Sequence, residues 1–198
     1  MQPWTMPLLA ALIGYLLGAI PFGVILTRAF GAGDLRQIGS GNIGATNVLR
    51  TGRKGLAAGT LILDALKGAA AVIIGANMGN GLALIAGAAA FFGHLYPIWL
   101  RFKGGKGVAT MLGIACALDW RIGLAYAVVW LGGMALTRIS SVGGMAAAIA
   151  APIAAFLLEA SGAAMMLSIL AAAVLWKHQD NIKRLLAGTE PRIGQKSA

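Results

Sequence analysis

The sequence predicts an all-α integral membrane protein of about seven transmembrane helices, with the N-terminus outside and the C-terminus in the cytoplasm. Three observations carry that prediction. Hydrophobic residues make up 59% of the 198 positions, charged residues only 11%, and mean hydropathy is +0.80, a balance foreign to ordinary water-soluble domains. The apolar residues fall in runs, at roughly 6–28, 56–76, 81–101, 107–118, 121–137, 141–158 and 162–176, and a helical span needs about 20 residues. With seven spans, fourteen of the sixteen Lys and Arg fall on one side, Arg121 falls on the other and Lys67 lies within a span. The positive-inside rule then places loops 29–55 and 102–106 and the C-terminal tail in the cytoplasm.

The first run has no Lys or Arg before Arg28, so it lacks the basic start of a signal peptide and is expected to remain as the first helix. Gly14 and Gly18, Gly55 and Gly59, and Gly75 and Gly79 are each four apart, a spacing that lets helix backbones approach closely. In the second run Asp64 and Lys67 stand at i and i+3, where an unpaired charge costs about 3 kcal/mol or more. A structural ion pair is the leading expectation, a direct ligand role the alternative. His94, in the third run, is expected in an interhelical hydrogen bond, because no second His or carboxylate stands at ligand spacing. The fourth run is short: Val108 to Leu118 rises only about 16 Å as a helix and is either a half-span or lengthened by the loop before it. Its lone Cys116 predicts a buried packing thiol, with no disulfide framework. No metal site is expected. With no internal repeat and no polar segment large enough to fold alone, residues 1–198 are expected to form a single transmembrane domain. The net charge of +10 does not point to nucleic acid, since the cations sit in short clusters between apolar runs and not on a basic face interleaved with aromatics.

Three polar stretches carry the residues suited to chemistry. In RFKGGKGVAT, Gly104, Gly105 and Gly107 permit positive φ and converging backbone N–H groups, Lys103 and Lys106 add charge, and an apolar helix follows. That arrangement suits a phosphate; a flexible basic loop serving topology alone is the equal alternative. The longer stretch from Gly39 to Gly55, GSGNIGATNVLRTGRKG, formally matches a dinucleotide fingerprint, but a spanning run precedes it where a strand is required, and Asp64 belongs to the next span. What survives is a set of donors, Ser40, Asn42, Thr46, Asn47 and Arg50, suited to phosphate oxygens, with a turn-forming connector as the alternative. The third stretch, KHQDNIKRLLAGTEPR, puts His178 and Asn181 three apart, on one face if helical, with Leu185 and Leu186 beside Lys183 and Arg184 as a short amphipathic turn. A basic anchor is the plain reading of it. All three stretches fall on the cytoplasmic side in the same topology, so their donors are able to converge.

SGNIGATN with Arg50, GHLYPIWLRFKGGKGVAT and KHQDNIKRLLAGTE, in this order and together spanning nearly the whole chain, resemble the three motifs of the bacterial acyl-phosphate-dependent glycerol-3-phosphate acyltransferases, the PlsY family. The resemblance implies transfer of a fatty acyl group from acyl phosphate to the 1-hydroxyl of glycerol 3-phosphate, giving lysophosphatidic acid and phosphate, in the bacterial cytoplasmic (inner) membrane. It implies no cofactor and no metal. The partners it implies are acyl phosphate, glycerol 3-phosphate and membrane lipids. By motif position, Ser40, Gly41, Thr46 and Arg50, with Gly104, Gly105 and Lys106, resemble the family's phosphate-binding and catalytic groups. His178 and Asn181 resemble its third-motif ligands, and Ser141 a position that contributes to glycerol-phosphate binding, for which a helix cap is the simpler reading. Because acyl phosphate has a good leaving group, no acyl-enzyme is required, and the proton of the attacking hydroxyl goes either to His178 or, as preferred here, to a phosphate oxygen of the donor. A transporter of a phosphorylated metabolite is the rival from another class. It would place its polar groups near the midplane on broken helices with repeat symmetry.

Overall fold

The computed structural model describes residues 2–194, so Lys196, one of the cations counted above, lies outside the described residues. Among those residues the secondary structure is entirely helical. Helices α1 (Thr5–Gly18), α2 (Phe22–Ala29), α3 (Ala45–Leu49), α4 (Lys54–Met78), α5 (Leu82–Leu95) and α6 (Val108–Leu118) belong to one compact unit, Met1–Leu118. Helices α7 (Trp120–Thr137), α8 (Ser140–Leu157), α9 (Ser161–Lys177) and α10 (Gln179–Leu186) belong to a second, Asp119–Ala198.

Each apolar run folds as helix, the first in two pieces and the third with a short 3-10 helix, Ile98–Leu100, after α5. Thr5–Ala29 (α1 with α2), Lys54–Met78, Leu82–Leu100, Trp120–Thr137 and Ser140–Leu157 are each long and apolar enough to cross a membrane. The pair α9 and α10, bent by 58°, makes a sixth candidate. With eleven residues, α6 is an apolar helix shorter than a span. The sequence did not anticipate the interruption of the first run. Pro21 has no N–H to donate, so the helix stops at Gly18 and restarts at Phe22.

In the first unit α1 packs along α5, and Gly14 and Gly18 make this possible: a Cβ at either would overlap the backbone carbonyl of Ala86 or Ala90. By contrast, Gly55 has open space around it and Gly59 meets only the Leu26 side chain, so that glycine pair serves no close helix crossing. Gly75 does lie against the Leu82 backbone, while Gly79 ends α4 with φ of 151°. Outward faces carry large apolar residues such as Leu12, Ile62, Ile73 and Phe92, and the interior is mostly small, with Ala10, Ala71, Ala86 and Ala90 buried. Asp64, Lys67 and His94 are buried among them, the inverse of a water-soluble protein. Cys116 departs from expectation: it is exposed on α6, not buried in a core.

In the second unit α7 packs on α8 and α8 on α9. The Asp119 side chain starts α7 by accepting from Arg121 N at 2.8 Å, and Arg138 ends it in the left-handed region with φ of 60°. After α10 the chain returns to that corner, where Ile193 N donates to Arg138 O at 2.7 Å.

Candidate active site

The loop between α2 and α4 is built around one side chain. Asn47 is buried, and its Nδ2 donates to Leu35 O at 3.0 Å and to Ile38 O and Asn42 O at 2.8 Å, while its Oδ1 accepts from Ser40 N at 3.2 Å. Asn47 therefore ties the loop together in place of the phosphate contact expected of it: its donors are already engaged. Asn42 is similarly used in part, with Oδ1 accepting from Gly44 N at 3.1 Å. Ser40, Thr46 and Arg50 are exposed on the loop, and Gly41 is half-buried with φ of 69°. The Arg50 side chain folds over Gly39, whose φ is 54°; a Cβ there would meet Asn47 Oδ1 at 2.6 Å and Arg50 Cδ at 2.7 Å. Glycine at 39 thus lets the guanidinium stem lie next to the loop tie. Nearby, Asp34 accepts from Arg28 at 3.0 Å and from Arg36 at 2.6 Å, and the bonds from Arg36 hold its carboxyl below the usual carboxylate range.

The glycine loop between α5 and α6 also differs from its expected form. Gly104 N donates to Leu95 O and Gly105 N to His94 O, both at 3.1 Å, so these two N–H groups close the end of α5 and are not turned to a ligand. What the glycines contribute is proximity. A Cβ at Gly104 would overlap His94 O, one at Gly105 the His94 imidazole and one at Gly107 the Phe91 ring. The loop is thereby pressed onto α5 before α6 begins at Val108. Lys103 is exposed and Lys106 half-buried.

Beneath the loop lies the buried ionic group. Lys67 Nζ is 2.7 Å from Asp64 Oδ1, 3.0 Å from His94 Nδ1 and 2.8 Å from Ile20 O at the break between α1 and α2. The ion pair expected of Asp64 and Lys67 is present, and so is the interhelical hydrogen bond expected of His94.

In the second unit a residue that the sequence did not single out organises the site. Glu190 Oε1 accepts from Ser141 Oγ at 2.7 Å and from Asn181 Nδ2, and its Oε2 accepts from Arg184 Nε at 2.7 Å. Burial raises the Glu190 carboxyl, but the bonds from Asn181, Ser141 and Arg184 outweigh it and hold the group below its ordinary value. Ser141 and Asn181 are thus brought together, each buried. The contacts span 49 and 9 residues, beyond any local pattern. The only hint in the sequence is a carboxylate among the basic residues of the tail, where Asp180 is the other. His178, buried where α9 meets α10, places Nδ1 2.8 Å from Val174 O. A carbonyl only accepts, so the Nδ1 nitrogen carries the hydrogen.

Apolar outward faces, a buried ionic centre, and cations and hydroxyls gathered in the segments between helices define a multi-pass membrane protein with polar sites outside its apolar spans. More particularly, the chain belongs to the glycerol-3-phosphate acyltransferase (PlsY) family, whose family model, described as Glycerol-3-phosphate acyltransferase, matches residues 8–188. A glycerol-3-phosphate acyltransferase of Mesorhizobium japonicum is 57% identical over 189 residues, covering 96% of this chain and 97% of the relative. One of Agrobacterium fabrum is 56% identical, covering 95% and 92%. Among solved structures, the crystal structure of PlsY (YgiH), an integral membrane glycerol 3-phosphate acyltransferase, in its glycerol 3-phosphate form aligns with a TM-score of 0.90 at 36% identity, covering 95% of this chain and 96% of that one. The same protein in its lysophosphatidic acid form aligns with a TM-score of 0.86.

Proposed function

We propose that this chain transfers a fatty acyl group from acyl phosphate to the 1-hydroxyl of glycerol 3-phosphate, forming lysophosphatidic acid and inorganic phosphate. The observation that carries the reading is a full-length match to relatives named for acyl transfer to glycerol 3-phosphate, together with cations and hydroxyls placed in the polar segments between apolar helices. The chain works as one membrane domain of residues 1–198 with seven helices in the bilayer, α6 among them. The cation asymmetry orients it N-terminus outside in a bacterial inner membrane, with loops 29–55 and 102–106 and the tail in the cytoplasm.

Chemically, the hydroxyl oxygen bonds to the acyl carbon, the acyl C–O bond to phosphate breaks, and the hydroxyl proton passes to an oxygen of the departing phosphate. No acyl-enzyme and no cofactor takes part. Orienting two bound reactants supplies about 7–11 kcal/mol of barrier reduction, and one donor aimed at developing charge about 3 kcal/mol. Arg50, Lys103 and Lys106 carry the charge that meets the phosphates. Ser40 and Thr46 supply hydroxyl donors, Gly41 and Asn42 shape the turn between them, and Gly107 leads into α6, whose N-terminal turn favours an anion. His178, Asn181 and Ser141 bind glycerol 3-phosphate. The transporter reading is disfavoured by the buried ionic group: every donor of Lys67 has an acceptor within the first unit.

The test is purified protein in detergent supplied with palmitoyl phosphate and glycerol 3-phosphate. Lysophosphatidic acid and phosphate are expected in equal amounts. Folded protein that yields neither overturns the proposal.

A further inference from the structure

Lys67 donates to three acceptors from three places: Asp64 one turn away on α4, the Ile20 carbonyl where α1 breaks, and His94 Nδ1 at the end of α5. An ammonium has three N–H donors and no acceptor, so this set completes it. His94 Nδ1 lies 3.7 Å from Asp64 Oδ1, beyond a hydrogen bond, and 3.0 Å from the ammonium, so it accepts from Lys67, which puts the hydrogen of a neutral ring on Nε2. The ring's Nε2 edge is what faces the glycine loop. Of the imidazole atoms, Nε2 lies nearest to where a Cβ on Gly105 would stand, followed by Cε1 and Cδ2. The same residue's carbonyl accepts from Gly105 N at 3.1 Å, so His94 meets the loop with both main chain and side chain.

We infer that His94 is a positioning residue of the glycine loop, its Nε2–H edge locked toward Gly105 by the Asp64–Lys67 pair, so that the pair sets where Lys106 and the start of α6 stand. This deepens the acyltransferase reading and rests on it for its kinetic consequence. Had the three buried groups served packing alone, any side chain that satisfies Lys67 would replace His94. The inference demands more: a side chain that also reaches the loop at Gly105.

Two substitutions separate these roles. His94→Asn retains an amide oxygen near the Nδ1 position and so an acceptor for Lys67, but carries nothing toward Gly105. His94→Gln reaches the Nε2 position with an N–H. With palmitoyl phosphate and glycerol 3-phosphate, His94→Asn is expected to lower kcat by about 10²-fold with KM little changed, as a small misplacement of a reacting group does, and His94→Gln to recover most of that loss. An Asn variant with normal kcat, or a Gln variant no better than Asn, overturns the inference. Independently of turnover, ¹⁵N-histidine-labelled protein in micelles, with the second histidine assigned through His178→Asn, should report His94 protonated at Nε2 and not at Nδ1. The opposite tautomer, or a doubly protonated ring, overturns it as well. Should the wild type transfer no acyl group while the spectrum shows Nε2–H, the acyltransferase reading falls and the placement of the ring stands.

Discussion

The two units each bury a histidine, and they hold it in opposite ways. In the first, a cation donates to Nδ1 of His94 and leaves the hydrogen on Nε2. In the second, the Val174 carbonyl accepts from Nδ1 of His178 and leaves the lone pair on Nε2. One ring nitrogen accepts and the other donates, although both rings are buried. The carboxylates differ in the same sense. Asp64 balances one buried ammonium, whereas Glu190 gathers a hydroxyl, an amide and a guanidinium at the end of the second unit. Which neighbour is ionised, not how deeply a side chain is buried, decides what a polar residue offers.

The comparison is broken most severely at Asp64. Asp64→Asn leaves Lys67 as a buried charge without its counter-ion, and the expected loss is about 3–5 kcal/mol, read as a lower unfolding temperature in detergent and lower abundance. A variant that is normally stable yet inactive would move Asp64 from support to chemistry. Lys106→Ala is expected to lower turnover by about 10²–10³-fold while the unfolding temperature stays near that of the wild type, because Lys106 is assigned to substrate charge and not to packing. Near-normal kinetics would remove it from the site.

Glu190→Gln sharpens the contrast from the other unit. Replacing a carboxylate that accepts three bonds is expected to cost about 2 kcal/mol. It should also alter the pH dependence in a defined direction. The folded carboxyl lies below its ordinary value of 4.5, so its stabilisation is complete above that pH and is lost as pH falls through the lower, folded value. Acid unfolding curves should therefore differ between wild type and Glu190→Gln above pH 4.5 and converge below it. Ser141→Ala is the smallest change, about 1.5 kcal/mol for one bond to a charged acceptor, and a larger fall in apparent glycerol 3-phosphate affinity than in stability would assign the hydroxyl to substrate.

The sequence disclosed the elements that depend on local periodicity. Apolar runs became helices, and Asp64 with Lys67 formed a pair because i and i+3 share a helix face. Pro21 lay in plain view within the first run, and its missing donor is what divides α1 from α2. Other features depended on partners far along the chain. Asn47 looked like one donor among several in a polar loop, yet three carbonyls turn inward to meet it. Gly104 and Gly105 looked like an anion cradle, but the open end of α5 takes their N–H groups first. Glu190 sat in a tail read for His178, Asn181 and a basic anchor, and its role appears once Ser141 and Asn181 are seen to share one oxygen.

Lys67 also bears on how the chain enters a bilayer. Helices delivered one after another would bring Asp64 and Lys67 in together, already paired within one turn, so the buried middle of α4 carries no net charge. Ile20 precedes it and has a carbonyl waiting at the proline break, while His94 follows only with α5. The three acceptors of one ammonium therefore lie in segments made in succession, the last of them just before the glycine loop. Biogenesis and site geometry meet in a single side chain.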